Sequence, residues 1–245
     1  ENLNAADKAF IDSLLPRPTR TLQSSDTTYS AKYELPLNNH FLVVGAEYKE
    51  AELKDGVFGM DKGTKDGKKE YYQYGIFAED NWNIIDPVTL TVGARYDKHE
   101  DFGDNISPRV YTTYAINDSW TIKGGVATGY KTPKTTDLQE GITGFGGQGT
   151  SPIIGNPDLK PEKSVSYEAA VYYEHPNKHN ANLTIFQNDF KDKIENGTIT
   201  GTAGTDWVTL GYGDLTQKQN VDKATIKGIE AAGKFFILYN LSIKA

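Results

Sequence analysis

Three short segments of this sequence have residue types and spacings that could support metal or cofactor chemistry. His175 and His179 have the spacing of a zinc-binding pair on a helix, but Pro176 lies between them and predicts a turn. Residues 144–149 (GFGGQG) have the glycine spacing of a dinucleotide-binding loop, yet no helix pattern follows them. Residues 61–70 have a calcium-loop composition without the required acidic positions. We therefore predict no cofactor and no metal bound by protein side chains.

The chain also offers little for covalent catalysis. It has no cysteine, which excludes thiol nucleophiles and disulfides, and no nucleophile-elbow motif surrounds any of its serines. Its 33 acidic and 26 basic residues give a net charge of −7, which argues against binding nucleic acid through general phosphate attraction. We interpret the protein as a non-enzyme, and a hydrolase built on a barrel stays open as an alternative.

Alternation of apolar and polar residues predicts an all-β chain of about ten strands. One clear example places Val88, Leu90, Val92, Ala94 and Tyr96 on an apolar face, opposite Thr89, Thr91, Gly93, Arg95 and Asp97. The predicted strands cover residues 27–35, 41–51, 71–81, 88–98, 109–116, 120–130, 164–174, 182–191 and 223–233, and a last one begins at 239.

The connections between these strands alternate in length. We predict short turns at 36–40, 83–87, 117–119, 175–181 and 234–238, and long links at 52–70, 99–108, 131–163 and 192–222. Trp82 and Trp120 lie beside short turns, whereas Tyr48, Tyr96 and Tyr130 lie near long links. This layout is typical of an antiparallel up-and-down transmembrane β-barrel with aromatic rims. A soluble β-sandwich is the alternative.

Several motifs resemble one family. Residues 156–168 (NPDLKPEKSVSYE), with 129–133 (GYKTP) and 74–82 (YGIFAEDNW), resemble the barrel of TonB-dependent outer-membrane receptors. The likeness is greatest to the catecholate-siderophore branch that includes the colicin I receptor. It implies a receptor in the outer membrane of a Gram-negative bacterium that binds a ferric catecholate siderophore and imports it with energy from the TonB complex. Iron would arrive already chelated, and colicin would be a further partner of the exposed loops.

The resemblance also bears on how much of a barrel is present. Plugged outer-membrane transporters close at about 22 strands, so about ten strands make less than half a barrel. The family's N-terminal plug and its final strand have no counterpart in the sequence. We therefore predict one domain over residues 1–245, a partial barrel without the plug, with residues 1–26 as an extracellular-loop-like lead-in.

The chemistry of the implied ligand suggests candidate binding residues. A ferric tris-catecholate is a compact trianion with aromatic faces, so Arg or Lys charges and aromatic rings on the extracellular loops would bind it. Arg17 and Arg20 lie in a segment stiffened by prolines, Tyr130 and Lys131 end the strand before the longest loop, and Phe145 lies within that loop. If the family assignment failed, the long loops would suit a soluble or surface β-sheet module for binding or adhesion.

Overall fold

The computed structural model describes residues 21–58, 67–146, 151–200, 214–238 and 241–244. This part of the chain is almost entirely β-structure, with one short 3₁₀-helix at Thr135–Leu138. No helix among these residues is long and apolar enough to cross a membrane. The strands are β1 Leu22–Leu37, β2 His40–Asp55, β3 Gly67–Ile85, β4 Val88–His99, β5 Gly103–Asn117, β6 Trp120–Lys131, β7 Ile142–Gly146, β8 Ser151–Ile154, β9 Glu162–Glu174, β10 Asn180–Thr200, β11 Asp214–Leu238 and β12 Leu241–Lys244.

All twelve strands join one sheet, in the order β1-β2-β3-β4-β5-β6-β9-β10-β11-β8-β7, with β12 paired to β11. Each strand from β1 to β6, and from β9 to β11, pairs antiparallel with its neighbour. This arrangement confirms the ten predicted strands and the up-and-down order, and it excludes a two-sheet sandwich. The sequence predicted ten strands rather than twelve because the two short strands β7 and β8 form a hairpin within the longest predicted link.

The structure corrects three of the predicted connections. β10 continues to Thr200 and β11 begins at Asp214, paired with each other, so residues 192–200 and 214–222 are strand and not part of a long link. β5 begins at Gly103, so residues 100–102 form a tight turn rather than the long link predicted over 99–108. Gly103 has a φ of +71°, which glycine adopts without strain, and this closes the turn. At the other end, β11 continues to Leu238, so residues 234–238 are strand and not a turn. β1 begins at Leu22, inside the predicted lead-in, whose residues 1–20 lie outside the described part.

The register sorts side chains onto two faces. Val110 lies directly opposite Val92 on β4 and Val126 on β6, and all three side chains are exposed. Gly93 and Asp97, which alternate with Val92 along β4, are buried on the other face. The predicted assignment of β4 to an apolar and a polar face is therefore confirmed, and the apolar face is the one that meets lipid in a barrel.

Aromatic rings border the apolar face at both ends. At the short-turn end, the Trp120 ring lies 4.8 Å from Tyr173, and Trp82 stacks on His40 at 5.4 Å. At the long-loop end, Tyr48 lies opposite both Tyr29 and Tyr74. The two rows correspond to the interfacial girdles of outer-membrane barrels and mark the edges of the lipid-facing band.

Candidate ligand-binding site

The polar face carries ion pairs that reach across intervening strands. Arg95 on β4 donates from Nε to Asp97 at 2.8 Å and from Nη2 to Glu47 on β2 at 3.3 Å. It passes over β3 at Gly75, where a Cβ would overlap Nη2 and lie 2.7 Å from Asp97 Oδ1. The glycine therefore provides the space in which the arginine crosses the strand.

A second pair repeats this arrangement one strand further along. Arg109 on β5 pairs with Glu79 on β3 across β4, which carries Gly93 at that level. A Cβ on Gly93 would lie 3.2 Å from Glu79 Oε2. Each of these two charged pairs therefore spans three strands. Together they make this face of the sheet a polar wall, as the interior of a barrel requires.

A polar depression of about 420 Å³ lies at the long-loop end of this wall, next to Arg95 and Asp97. It forms where β5 and β6 separate, because their pairing ends at Arg109 and Ala127. The next β5 residue toward the long-loop end is Pro108, which has no N–H to continue the ladder of hydrogen bonds. Thr128 Oγ1 on β6 still donates to the Pro108 carbonyl. The lining residues are Gln73, Arg95, Asp97, Ser107, Thr128, Tyr130, Lys131 and Thr132.

Two of the predicted site residues, Tyr130 and Lys131, line this depression together. The Tyr130 hydroxyl is buried and has no hydrogen-bond partner among the described residues. The Lys131 side chain is 65% exposed, with Nζ 3.9 Å from Glu162. Because this contact is long and the lysine itself is exposed, it holds Lys131 weakly, and Lys131 can turn to an incoming anion at small cost.

Phe145 lies elsewhere, in the hairpin of β7 and β8. It is half-buried opposite Pro152 and does not line the depression. The hairpin is docked on the sheet, since Ile153 and Ile154 of β8 pair in parallel with Thr216 and Gln217 of β11. The described residues around this loop, β7 and β8, thus form an arm that is paired with β11.

Side-chain amides hold the end of this arm on β11. Gln217 Nε2 donates to Gly155 O at 2.9 Å, and Asn156 Nδ2 donates to Lys218 O at 2.9 Å. Asn220 accepts from Lys160 N at 2.8 Å and donates to the carbonyls of Lys160 at 2.9 Å and Asp192 at 2.7 Å. The stretch before β9 is therefore fixed by residues about sixty positions later in the chain.

We expect Asn220→Ala to loosen this arm while leaving the sheet intact. Three hydrogen bonds would be lost and backbone groups of Lys160 and Asp192 left without this partner, which costs about 1–3 kcal/mol locally. The measurement is the rate of limited proteolysis within residues 132–161 of the full-length receptor. Asn188→Ala is the matched control, because Asn188 lies on β10 without a side-chain hydrogen bond among the described residues; equal cleavage of the two variants would show that Asn220 does not hold the arm.

The tight turn after β4 is supported by aromatic packing. His99, only 3% exposed, stacks on Tyr71 at 4.8 Å and contacts Phe102 at 4.9 Å. Its Nδ1 accepts the N–H of Asp101, which fixes the tautomer. His99 is the last residue of β4 and alternates with Asp97, so it lies at the end of the polar face, and burial lowers the pKa of its imidazole. The ring therefore acts as a packing element of the turn.

The remaining predicted site residues, Arg17 and Arg20, lie outside the described residues, so their position stays a prediction. Sequence reasoning missed the charged wall of Arg95, Arg109, Glu47 and Glu79, as well as the Asn220 anchor. The wall had a readable signal, since Gly75 and Gly93 alternate with charged and aromatic residues along predicted strands. Asn220 lay in a segment predicted to be a loop and carried no such signal.

Comparison with known proteins agrees with this architecture. The family model described as "TonB dependent receptor-like, beta-barrel" matches residues 3–245. The iron-regulated outer membrane virulence protein of Vibrio cholerae is 32% identical over 87% of this chain and 32% of its own length. The ferric enterobactin receptor of Pseudomonas aeruginosa is 32% identical over 86% of this chain and 31% of its own length. The chain thus spans about a third of the relatives it matches.

Solved structures give the same result. The siderophore receptor PirA from Pseudomonas aeruginosa superposes with a TM-score of 0.79 at 25% identity, over 93% of this chain and 42% of that one. A ferric enterobactin receptor from the same organism superposes with a TM-score of 0.73 at 28% identity, over 90% of this chain and 34% of that one. These relatives are receptors, not enzymes. The sheet with its two aromatic rims, its polar wall and the family match over nearly the whole sequence place this chain in the TonB-dependent receptor β-barrel family of the bacterial outer membrane.

Proposed function

We propose that this chain builds part of the wall of a receptor that takes up ferric siderophores with energy from the TonB complex. The observation that carries the proposal is the family match, combined with relatives named as siderophore and ferric enterobactin receptors. The polar wall and the docked arm supply the local chemistry, because they present charges and rings where a ligand enters from outside. Iron would arrive inside its chelator and require no ligand from the protein.

We further propose a ferric catecholate as the ligand. A trianion with aromatic faces is matched by cations beside rings, and Lys131 lies with Tyr130 at the edge of the depression. Arg17 and Arg20 would add charge, and Phe145 would offer a second ring from the arm. Since Phe145 lies apart from the depression, it would meet the ligand at a different point than Tyr130. A colicin would use the same exposed loops as a protein partner.

The test is uptake of radio-iron catecholate by cells that carry the full-length receptor with Arg17→Ala, Arg20→Ala and Lys131→Ala combined. Three charge-assisted contacts of about 1 kcal/mol or more each should weaken apparent affinity about a hundredfold. Surface expression is measured in parallel, so that loss of folding is not mistaken for loss of binding.

The matched control removes three cations near the short-turn end: Lys123→Ala, Lys178→Ala and Lys234→Ala. Because these positions face away from the ligand's entry side, their loss should leave half-saturation unchanged. If the variant with Arg17, Arg20 and Lys131 replaced had the same half-saturating concentration as the wild type, these residues would not belong to the site. If the wild-type receptor took up no ferric catecholate, the proposed ligand would be wrong.

A further inference from the structure

Three lysines form a row across neighbouring strands. Lys191 on β10 lies directly opposite Lys163 on β9 and Lys223 on β11. All three side chains are exposed. Neighbouring strands are about 4.8 Å apart, and like charges directly opposite one another destabilise a sheet. A row of three cations therefore calls for an anion to balance it. We name this set the lysine row.

The lysine row lies on the lipid-facing side; on β9 it lies just beyond Val165, whereas on β10 and β11 the next residues on this face are Asp189 and Thr225. On β9, Lys163 follows the same alternation as Val165 and Tyr167, and β9 runs away from the long-loop end. Lys163 is thus two residues, about 7 Å, past Val165 toward the long-loop end. A bilayer's polar headgroup layer begins where its hydrocarbon ends, so lysine ammonium groups at this height reach headgroups.

Other lysines near the long-loop end have acidic partners. Lys49 pairs with Asp26 at 3.0 Å, Lys68 with Glu52 at 3.0 Å, and Lys98 with Asp104 at 3.6 Å. In contrast, no ion pair within the described residues engages Lys163, Lys191 or Lys223. The nearby carboxylate of Asp189 is already bonded to Gln187 at 2.7 Å and Thr225 at 2.8 Å. Asp189 lines the same surface and offsets one of the three charges, so the described residues leave the row with a net positive charge.

The lysine row also borders a depression of about 470 Å³. Ile106 and Val165 contribute apolar surface to it, whereas the three lysines supply its charge. The depression opens where β5 and β6 separate beyond Arg109 and Ala127. Phosphate oxygens beside the ammonium groups, with a hydrocarbon portion against the apolar side chains, would satisfy both parts of this surface.

We propose that Lys163, Lys191 and Lys223 bind the phosphate groups of a membrane lipid in the leaflet on the long-loop side. The proposal needs only the position of the barrel in the outer membrane, and it does not depend on which ligand the receptor imports. The lipid would neutralise the row and fasten β9, β10 and β11 at the level where β5 and β6 are unpaired.

The test uses full-length receptor in detergent micelles, titrated with diphosphoryl lipid A and followed by native mass spectrometry. The variant Lys163→Gln, Lys191→Gln and Lys223→Gln removes the charge and keeps side-chain length. Its affinity should fall about a hundredfold, the effect of three cations near an anionic lipid surface. The matched control is Lys49→Gln, Lys68→Gln and Lys98→Gln, which removes equal charge at the same end and should bind like the wild type.

Three outcomes would overturn the proposal: undiminished lipid binding by the lysine-row variant, an equal loss in the control variant, or displacement of the lipid by inorganic phosphate at similar concentration, which would indicate a site for soluble anions. A variant with arginine at all three positions separates binding from folding. The arginine variant keeps the charge and should retain the lipid. If the glutamine variant lost its β-sheet circular dichroism and the arginine variant did not, the arginine variant would provide the test, and its failure to bind the lipid would count against the proposal.

Discussion

Gly155→Ala will release the hairpin of β7 and β8 from the sheet. A Cβ at this position would overlap the backbone oxygen of Gln139 and lie 2.8 Å from its carbonyl carbon. Backbone atoms cannot turn aside as a side chain can, so the arm itself must move. Gly155 also donates to Gly141 O at 3.0 Å and accepts from Gln217, and both bonds would be strained.

The expected cost is about 1–3 kcal/mol in the local opening of the arm, in the range of other overpacking substitutions. Hydrogen exchange of the full-length receptor measures it directly, through faster exchange of the β8 amides paired with β11. Gly144→Ala in the same hairpin is the control, because its Cβ would meet only Ile153 Cδ1 at an ordinary 3.8 Å. Equal exchange in the two variants would show that the arm tolerates a side chain at Gly155.

Val110→Arg is expected to destabilise the barrel by about 2–4 kcal/mol. Val110 is 45% exposed on the lipid-facing side, with Val92 and Val126 opposite it on both neighbouring strands. An arginine here would place its charge in hydrocarbon, away from both aromatic rims. Unfolding titrations of the full-length receptor in lipid vesicles give the free energy of unfolding.

Thr91→Arg provides the comparison on the opposite face. Thr91 Oγ1 donates to Asn81 at 2.6 Å on the polar face, so the change loses one hydrogen bond but leaves the charge in a polar interior. We expect about 1 kcal/mol from this variant. A larger cost for Thr91→Arg than for Val110→Arg would mean that the two faces have been exchanged, as a register slip of one residue would do.

The wall of the barrel was predictable because its information is local. Alternation along β4 assigned Val92 outward and Arg95 inward from the sequence alone, since a strand repeats every two residues. The positions of Trp82 and Trp120 beside short turns could likewise be predicted from the sequence, because each tryptophan is a near neighbour of its turn along the chain. The tight turn at residues 100–102 was missed because polar residues at the start of β5 hid a strand that is paired with β4 from Gly103 to Tyr114.

The long-loop end was decided by contacts between distant residues. The sequence shows a glycine-rich segment at residues 141–155, which is equally compatible with a free loop and with an ordered arm. Only the tertiary structure pairs β8 with β11 and, just after β8, joins Asn156 to Lys218 and Lys160 to Asn220. The lysine row has the same origin. Lys163, Lys191 and Lys223 are ordinary charged residues in the sequence, and they become one surface only because the register of three strands brings them opposite each other. Local periodicity fixes which face a side chain takes, whereas pairing across strands determines its neighbours.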